Sequence, residues 1–128
     1  KDTLIDGMSV LTFAISRPPK SIQQMIDDYN IDVNTDIDYF LIHQANKLIV
    51  DRVVKKLKLP TEKVPYDLEE FGNLGGASIP SLMVTRIAEP MRNNQPIKML
   101  CSSFGLGLSW GTMILTANKV VIPELIEI

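Results

Sequence analysis

Ile42-His43-Gln44-Ala45-Asn46 carries the only histidine of this 128-residue chain, at a point where an apolar run gives way to a helical pattern. Further on comes Phe71-Gly72-Asn73-Leu74-Gly75-Gly76-Ala77-Ser78, a glycine-punctuated loop that also opens a helix. A neutral imidazole and a carboxamide, each at the head of a helix, can converge on one oxygen and stabilise negative charge there. A nucleophile to go with them is missing. The single cysteine, Cys101, falls mid-strand between Leu100 and Ser102, without the helix-start setting that lowers a thiol pKa, and reads as core. The residues that could do chemistry amount to half an active site.

The elements that must position them follow from the hydrophobic period. Asp6-Gly7 precedes Met8, Val10, Leu11 and Ala14, the spacing of a short helix that Pro18-Pro19 ends. Ser21 sits near the start of a second helix running to about Tyr29, and Asn34-Thr35-Asp36 is turn chemistry. Ile37 to Ile42 reads as a buried strand. Ala45 to Leu57 is the clearest helix, with Ala45, Leu48, Ile49, Val53 and Leu57 on one face and Asp51 and Lys55 paired four residues apart; Leu59-Pro60 stops it. Val64 to Leu68 reads as a second strand. Ser78 to Met91 reads as one helix with Pro80 in its first turn. Ile97 to Ser103 and Leu108 to Ala117 are strands that pair as a hairpin. Val120 to Ile128 reads as a packing strand or arm. Strands alternating with helices predict an α/β domain, a mixed sheet with helices packed on it, read as one layer whose exposed face needs a partner.

Composition excludes several classes. A 45% hydrophobic content supports a real core, and one domain of this length buries roughly two-thirds of its unfolded surface. A formal net charge of -2 gives no nucleic-acid signature, and no apolar run approaches the ~18 residues of a membrane span. One cysteine makes no internal disulfide, which points to a reducing, cytoplasmic setting. One histidine and one cysteine far apart are no metal pattern. Lys1-Asp2-Thr3 does not look like a signal peptide, and a first residue other than methionine suggests a fragment, a processed chain or an excised domain.

Three blocks taken in order carry a family resemblance. Ile42-His43-Gln44-Ala45-Asn46, then Phe71-Gly72-Asn73 with Ala77-Ser78-Ile79-Pro80, then Phe104-Gly105-Leu106-Gly107-Leu108-Ser109-Trp110-Gly111, resemble the carboxy-terminal half of a beta-ketoacyl-acyl-carrier-protein synthase III. Asp6-Gly7 and its helix resemble the family's opening of this half, so the likeness covers nearly all of residues 1–128. It implies a thiolase-like fold of two similar halves packed in five layers, of which this chain is the carboxy-terminal one.

The same resemblance implies the chemistry. An acyl group passes from a thioester to a cysteine in the amino-terminal half, absent here. Malonyl-acyl carrier protein then loses carbon dioxide, and the carbanion attacks the acyl-cysteine. His43 and Asn73 would hold the malonyl thioester oxygen as it becomes an enolate, and the backbone N–H of Leu106 would serve the oxyanion hole. Alone, an isolated histidine is more often a buried residue satisfied by backbone, and a Gly-Asn loop residue is more often a turn former; the shared motif reverses both readings. Asn46 and Gln44 would cap the helix and brace the site, with Asn46, Lys47 and Arg52 as substrate or carrier contacts. The basic helix of Lys47, Arg52, Lys55, Lys56 and Lys58 is a solvated face or a docking surface for an acidic carrier, and the residues leave both open. Trp110 reads as a packing anchor. No cofactor is expected, coenzyme A and acyl-carrier-protein thioesters being substrates. The expected partners are acyl carrier protein and the amino-terminal half, in a homodimer when complete, with no nucleic acid and no membrane.

Four positions depart from the family pattern. Leu48 replaces a usual arginine, Leu74-Gly75 replaces threonine and serine, and Leu106 interrupts a run of glycines. The Leu48 and Leu74 departures make a secondary-metabolism condensing or acyl-transfer relative the first alternative; a non-catalytic association half is the alternative from another class. The isolated chain is expected to be inactive in condensation, because it lacks the covalent partner.

Overall fold

Strands Tyr39–Ile42 (β1), Ile97–Gly105 (β2) and Ser109–Ala117 (β3) lie side by side in that order in the computed structural model, which describes residues 7–93 and 95–126. β1 runs parallel to β2, from Tyr39 opposite Met99 to Ile42 opposite Ser102. β2 and β3 form an antiparallel hairpin, from Ile97 opposite Ala117 to Gly105 opposite Ser109. The sheet is therefore mixed, as the alternation of elements predicts. A parallel pair needs a long crossover, and the helical segment between β1 and β2 supplies it.

Alternate residues of the strands feed two cores. Phe40 and Ile42 of β1, with Leu100 and Phe104 of β2, meet Phe13, Ile22, Ile49, Val50 and Val53. These come from helices Gly7–Ala14 (α1), Arg17–Asp28 (α2) and Lys47–Leu57 (α3). Leu41, Met99 and Cys101 face the other way and pack on Leu82, Ile87 and Met91. Leu82 belongs to helix Ser78–Thr85 (α5), Met91 to helix Ala88–Arg92 (α6) and Ile87 to the two-residue link between them; a single turn, Leu68–Phe71 (α4), precedes them. The expected one-layer arrangement is corrected: β1 and β2 are covered on both faces. What stays open is β3, where Met113 and Leu115 remain exposed beyond the reach of α5 and α6.

Local chemistry accounts for four further departures. Pro18 and Pro19 do not end α1; they sit in the first turn of α2, where a missing N–H costs nothing. Val64 to Leu68 is not a strand. A 3-10 turn, Thr61–Lys63, leads into it, Pro65 offers no donor, and α4 begins at Leu68. The helix expected over 78–91 is two, because Pro90 lacks an N–H and its ring conflicts with the carbonyl four residues back, at Arg86, where α5 stops. On α3, Asp51 pairs with Lys47 at 3.6 Å instead of with Lys55. The tail past β3 is an arm without strand pairing over 120–126, held where Arg92 donates to the carbonyls of Ile122 and Pro123 at 3.1 and 3.2 Å. Asp6 and the last two residues of the expected tail lie outside the described residues.

α3 has well-made ends. Asn46 is its N-cap, in extended backbone, with Oδ1 accepting from the Ile49 amide at 2.9 Å. Lys58 closes it in the left-handed region (φ 53°) just before Leu59-Pro60. An Asn46→Ala substitution removes the cap and should lower stability by about 1 kcal/mol in chemical denaturation.

Candidate active site

β1 ends at Ile42 and the chain turns before Asn46 caps α3, which places His43 at the carboxyl end of a buried strand. Its amide donates to the Ser102 carbonyl at 2.9 Å, extending the ladder by one residue. The ring packs edge-on against Phe104, centroids 4.9 Å apart. Nδ1 is buried with no partner among the described residues. A buried N–H without an acceptor costs more than an under-used lone pair, so the proton belongs on Nε2, the ring nitrogen left open. Gln44 is fully buried and donates from Nε2 to the Ile42 carbonyl at 2.8 Å, which fixes the turn behind His43.

Burial disfavours the imidazolium, so the His43 pKa lies below its ordinary 6.5. The ring is neutral at pH 7 and donates without bringing a charge. Two pH effects follow. Any rate that needs the neutral ring keeps its acid limb below pH 6.5, which a pH profile at saturating substrate checks. The unfolded chain takes up this proton near 6.5 and the folded one only at lower pH. The stability it contributes is therefore complete above 6.5 and declines as pH falls toward the folded pKa.

Asn73 sits in the exposed loop between α4 and the 3-10 turn Gly75–Ala77 that leads into α5. Its Oδ1 accepts from the Gly75 amide at 2.9 Å, an Asx turn. That bond occupies the oxygen and leaves the Nδ2 hydrogens to donate outward. Gly72 precedes it at φ 67°, a conformation that glycine adopts without strain.

His43 and Asn73 line one cleft of about 750 Å³ together with Gly75, Gly76, Ser103, Leu106 and Leu108. Its apolar wall is Phe13, Phe104 and Trp110, with Phe13 edge-on to both rings at 6.3 and 5.5 Å. Phe13 and Phe104 went unread as site residues. Phe13 falls three positions after Val10 on α1, and Phe104 opens the glycine block, so both signals were present. Trp110 is not the packing anchor expected: it is 45% exposed and forms a cleft wall, touching Phe13 on one side with the Arg17 guanidinium 6.0 Å from its ring.

Leu106 stands at the tip of the β2–β3 turn, 78% exposed, its carbonyl accepting from Ser109 Oγ at 2.9 Å. Gly107 follows at φ 141°, and a Cβ there would meet the Ser109 amide nitrogen at 3.0 Å, so this corner requires glycine. Asn46, Lys47 and Arg52 are exposed on α3 and outside the cleft lining. Asn46 is committed to its cap. The Lys47 ammonium lies 4.7 Å from the centre of the Tyr66 ring. Cys101 is buried in the second core, its thiol pushed up to about 11 by desolvation, which suits a core residue and not a nucleophile.

Residues 27–117 match the family described as 3-oxoacyl-[acyl-carrier-protein (ACP)] synthase III C terminal. The chain belongs to this family. The beta-ketoacyl-[acyl-carrier-protein] synthase III of Streptococcus pneumoniae (strain Hungary19A-6) is 44% identical over 115 residues, 88% of this chain and 35% of that protein. The crystal structure of 3-oxoacyl-(acyl-carrier protein) synthase from Burkholderia xenovorans LB400 superposes with a TM-score of 0.87 at 30% identity, over 94% of this chain and 34% of that one. That of 3-oxoacyl-(acyl carrier protein) synthase III from Pseudomonas aeruginosa PAO1 gives 0.79 at 30% identity, over 92% and 37%. The chain thus spans about a third of the length of these synthases, and its fold is the thiolase-like one expected. Among the described residues no helix is long and apolar enough to cross a membrane, and no group of three His, Cys, Asp or Glu side chains could hold a metal.

Proposed function

We propose that this chain supplies the enolate-stabilising half of a synthase III that condenses an acyl thioester with malonyl-acyl carrier protein at the start of fatty-acid synthesis. The observation that carries this reading is the shared cleft of His43 and Asn73, each with its other polar atom internally disposed and one N–H donor free. As the malonyl carboxylate leaves as carbon dioxide, the electron pair of the breaking C–C bond moves into the thioester and charge collects on its oxygen. Two neutral donors aimed at that oxygen lower the barrier without trapping the product as a fixed cation would. The enolate carbon then attacks the acyl carbon held on a cysteine of the amino-terminal half. The C–S bond breaks and the thiolate returns. The Leu106 N–H, on the cleft wall, is suited to hold the oxygen of that second tetrahedral centre.

The acyl carrier protein would approach over α3, where Lys47 and Arg52 present positive charge beside the cleft, with charge complementarity steering the encounter. Coenzyme A thioesters would serve as acyl donors, and no cofactor enters any step. The complete enzyme would be a cytoplasmic homodimer. The test is to give the full-length protein an acyl-coenzyme A and malonyl-acyl carrier protein. A β-ketoacyl product formed one-for-one with carbon dioxide supports the reading. Acyl transfer without carbon dioxide release overturns it in favour of a plain acyltransferase.

A further inference from the structure

Asn73 owes its place to a short loop, and the base of that loop is closed by a buried carboxylate. Asp67 is 2% exposed. Its Oδ2 accepts from Ser81 Oγ at 2.5 Å and from Thr85 Oγ1 at 3.2 Å, both on α5. Thr85 shares its one proton with the Ser81 carbonyl at 2.8 Å, which makes Ser81 the principal donor. The Asp67 carbonyl accepts from the Glu70 and Phe71 amides at 3.1 and 3.0 Å and so starts α4. Gly72 ends α4 through its amide on the Leu68 carbonyl at 2.9 Å, and Asn73 comes next. After the Gly75–Ala77 turn the chain enters α5, which carries Ser81. The segment from Asp67 to Ser81 is therefore a ring closed by one charge-assisted hydrogen bond, with Asn73 in its rim. Arg86, just past α5, straps the same base, donating from Nε to the Tyr66 carbonyl and pairing with Glu70 at 2.7 Å. The Tyr66 ring in turn lies under the Lys47 ammonium at the start of the helix that follows His43.

We propose that Asp67 is the positioning residue for Asn73: its carboxylate, clamped on Ser81 and Thr85, fixes where the Asn73 donor stands in the cleft. This rests on the reading of Asn73 as an enolate donor. A displacement of about 1 Å at a reacting centre costs on the order of 10²-fold, so loosening the clamp acts on the chemical step.

The test compares Asp67→Ala, Asp67→Asn and Asn73→Ala in the full-length protein, measuring kcat for carbon dioxide release and, separately, acyl transfer onto the enzyme. Asp67→Ala should lower carbon dioxide release about 10–100-fold while acyl transfer is kept. Asp67→Asn, which still accepts from Ser81, should recover most of the loss. Asp67→Ala added to Asn73→Ala should cost nothing further, because both remove one device. Ser81→Ala, a smaller change, should reproduce the pattern if Asp67→Ala fails to fold. Equal loss of both half-reactions, multiplying losses in the double variant, or an unchanged Asp67→Ala overturns the clamp alone. An Asn73→Ala enzyme with full carbon dioxide release overturns the assignment of Asn73 and the clamp with it.

Discussion

An Asn73→Ala or His43→Ala substitution in the full-length enzyme should slow carbon dioxide release from the malonyl thioester about 10²–10³-fold, or roughly 3–4 kcal/mol for each donor removed. The effect belongs in kcat. The thioester oxygen is weakly basic in the ground state and becomes strongly so only as the enolate forms, so the donors bind the transition state better than the substrate. Loading of the acyl group should be spared, since the proposal gives its oxyanion to a backbone N–H and its nucleophile to the other half. Rapid-quench kinetics of the two half-reactions checks this. A loss shared equally between them, or one confined to KM, would assign the pair to binding. His43→Ala should also remove the acid limb that burial places below pH 6.5.

The second large effect is on folding. Phe40 is wholly buried at the middle of β1, in the core cluster it shares with Phe13 of α1, Ile22 of α2 and Val50 of α3. Phe40→Ala removes most of a ring from a close-packed site that can collapse only partly, and should cost about 3–5 kcal/mol. Its consequence reaches the cleft, because β1 carries His43 one step past Ile42 and shares its ladder with β2, which leads to Leu106. Urea denaturation of Phe40→Ala beside Asn46→Ala tests the contrast: the midpoint should shift several-fold more for the core change than for the cap. Comparable shifts would mean that β1 is not the centre of the fold.

What the sequence makes legible is what depends on local pattern. His43 and Asn73 sit in short blocks whose turn chemistry and helix starts are written in neighbouring residues, and Asn46 caps the helix where its side chain predicts. The hairpin of β2 and β3 follows from two apolar runs on either side of Gly105-Leu106-Gly107. Val64, Tyr66 and Leu68 alternate as a strand would, yet the segment is committed instead to side chains far along the chain: the Tyr66 carbonyl to Arg86 and the Asp67 carboxylate to Ser81 and Thr85. No local period announces such partners. Pro90 marks the carbonyl it excludes and so the break between α5 and α6, but the small and apolar residues that continue on both sides of Arg86 mask it. The second helical layer was hidden for the same reason as the clamp, because the strand face it covers is settled only by long-range packing.

The most direct test of the account is a crystal structure of the full-length enzyme with a non-hydrolysable malonyl thioester analogue bound. The account predicts His43 Nε2 and Asn73 Nδ2 both within about 2.7–3.1 Å of the same thioester oxygen. A thioester oxygen bound by only one of the two, or one turned toward Leu106 with Asn73 more than about 3.5 Å away, would contradict it.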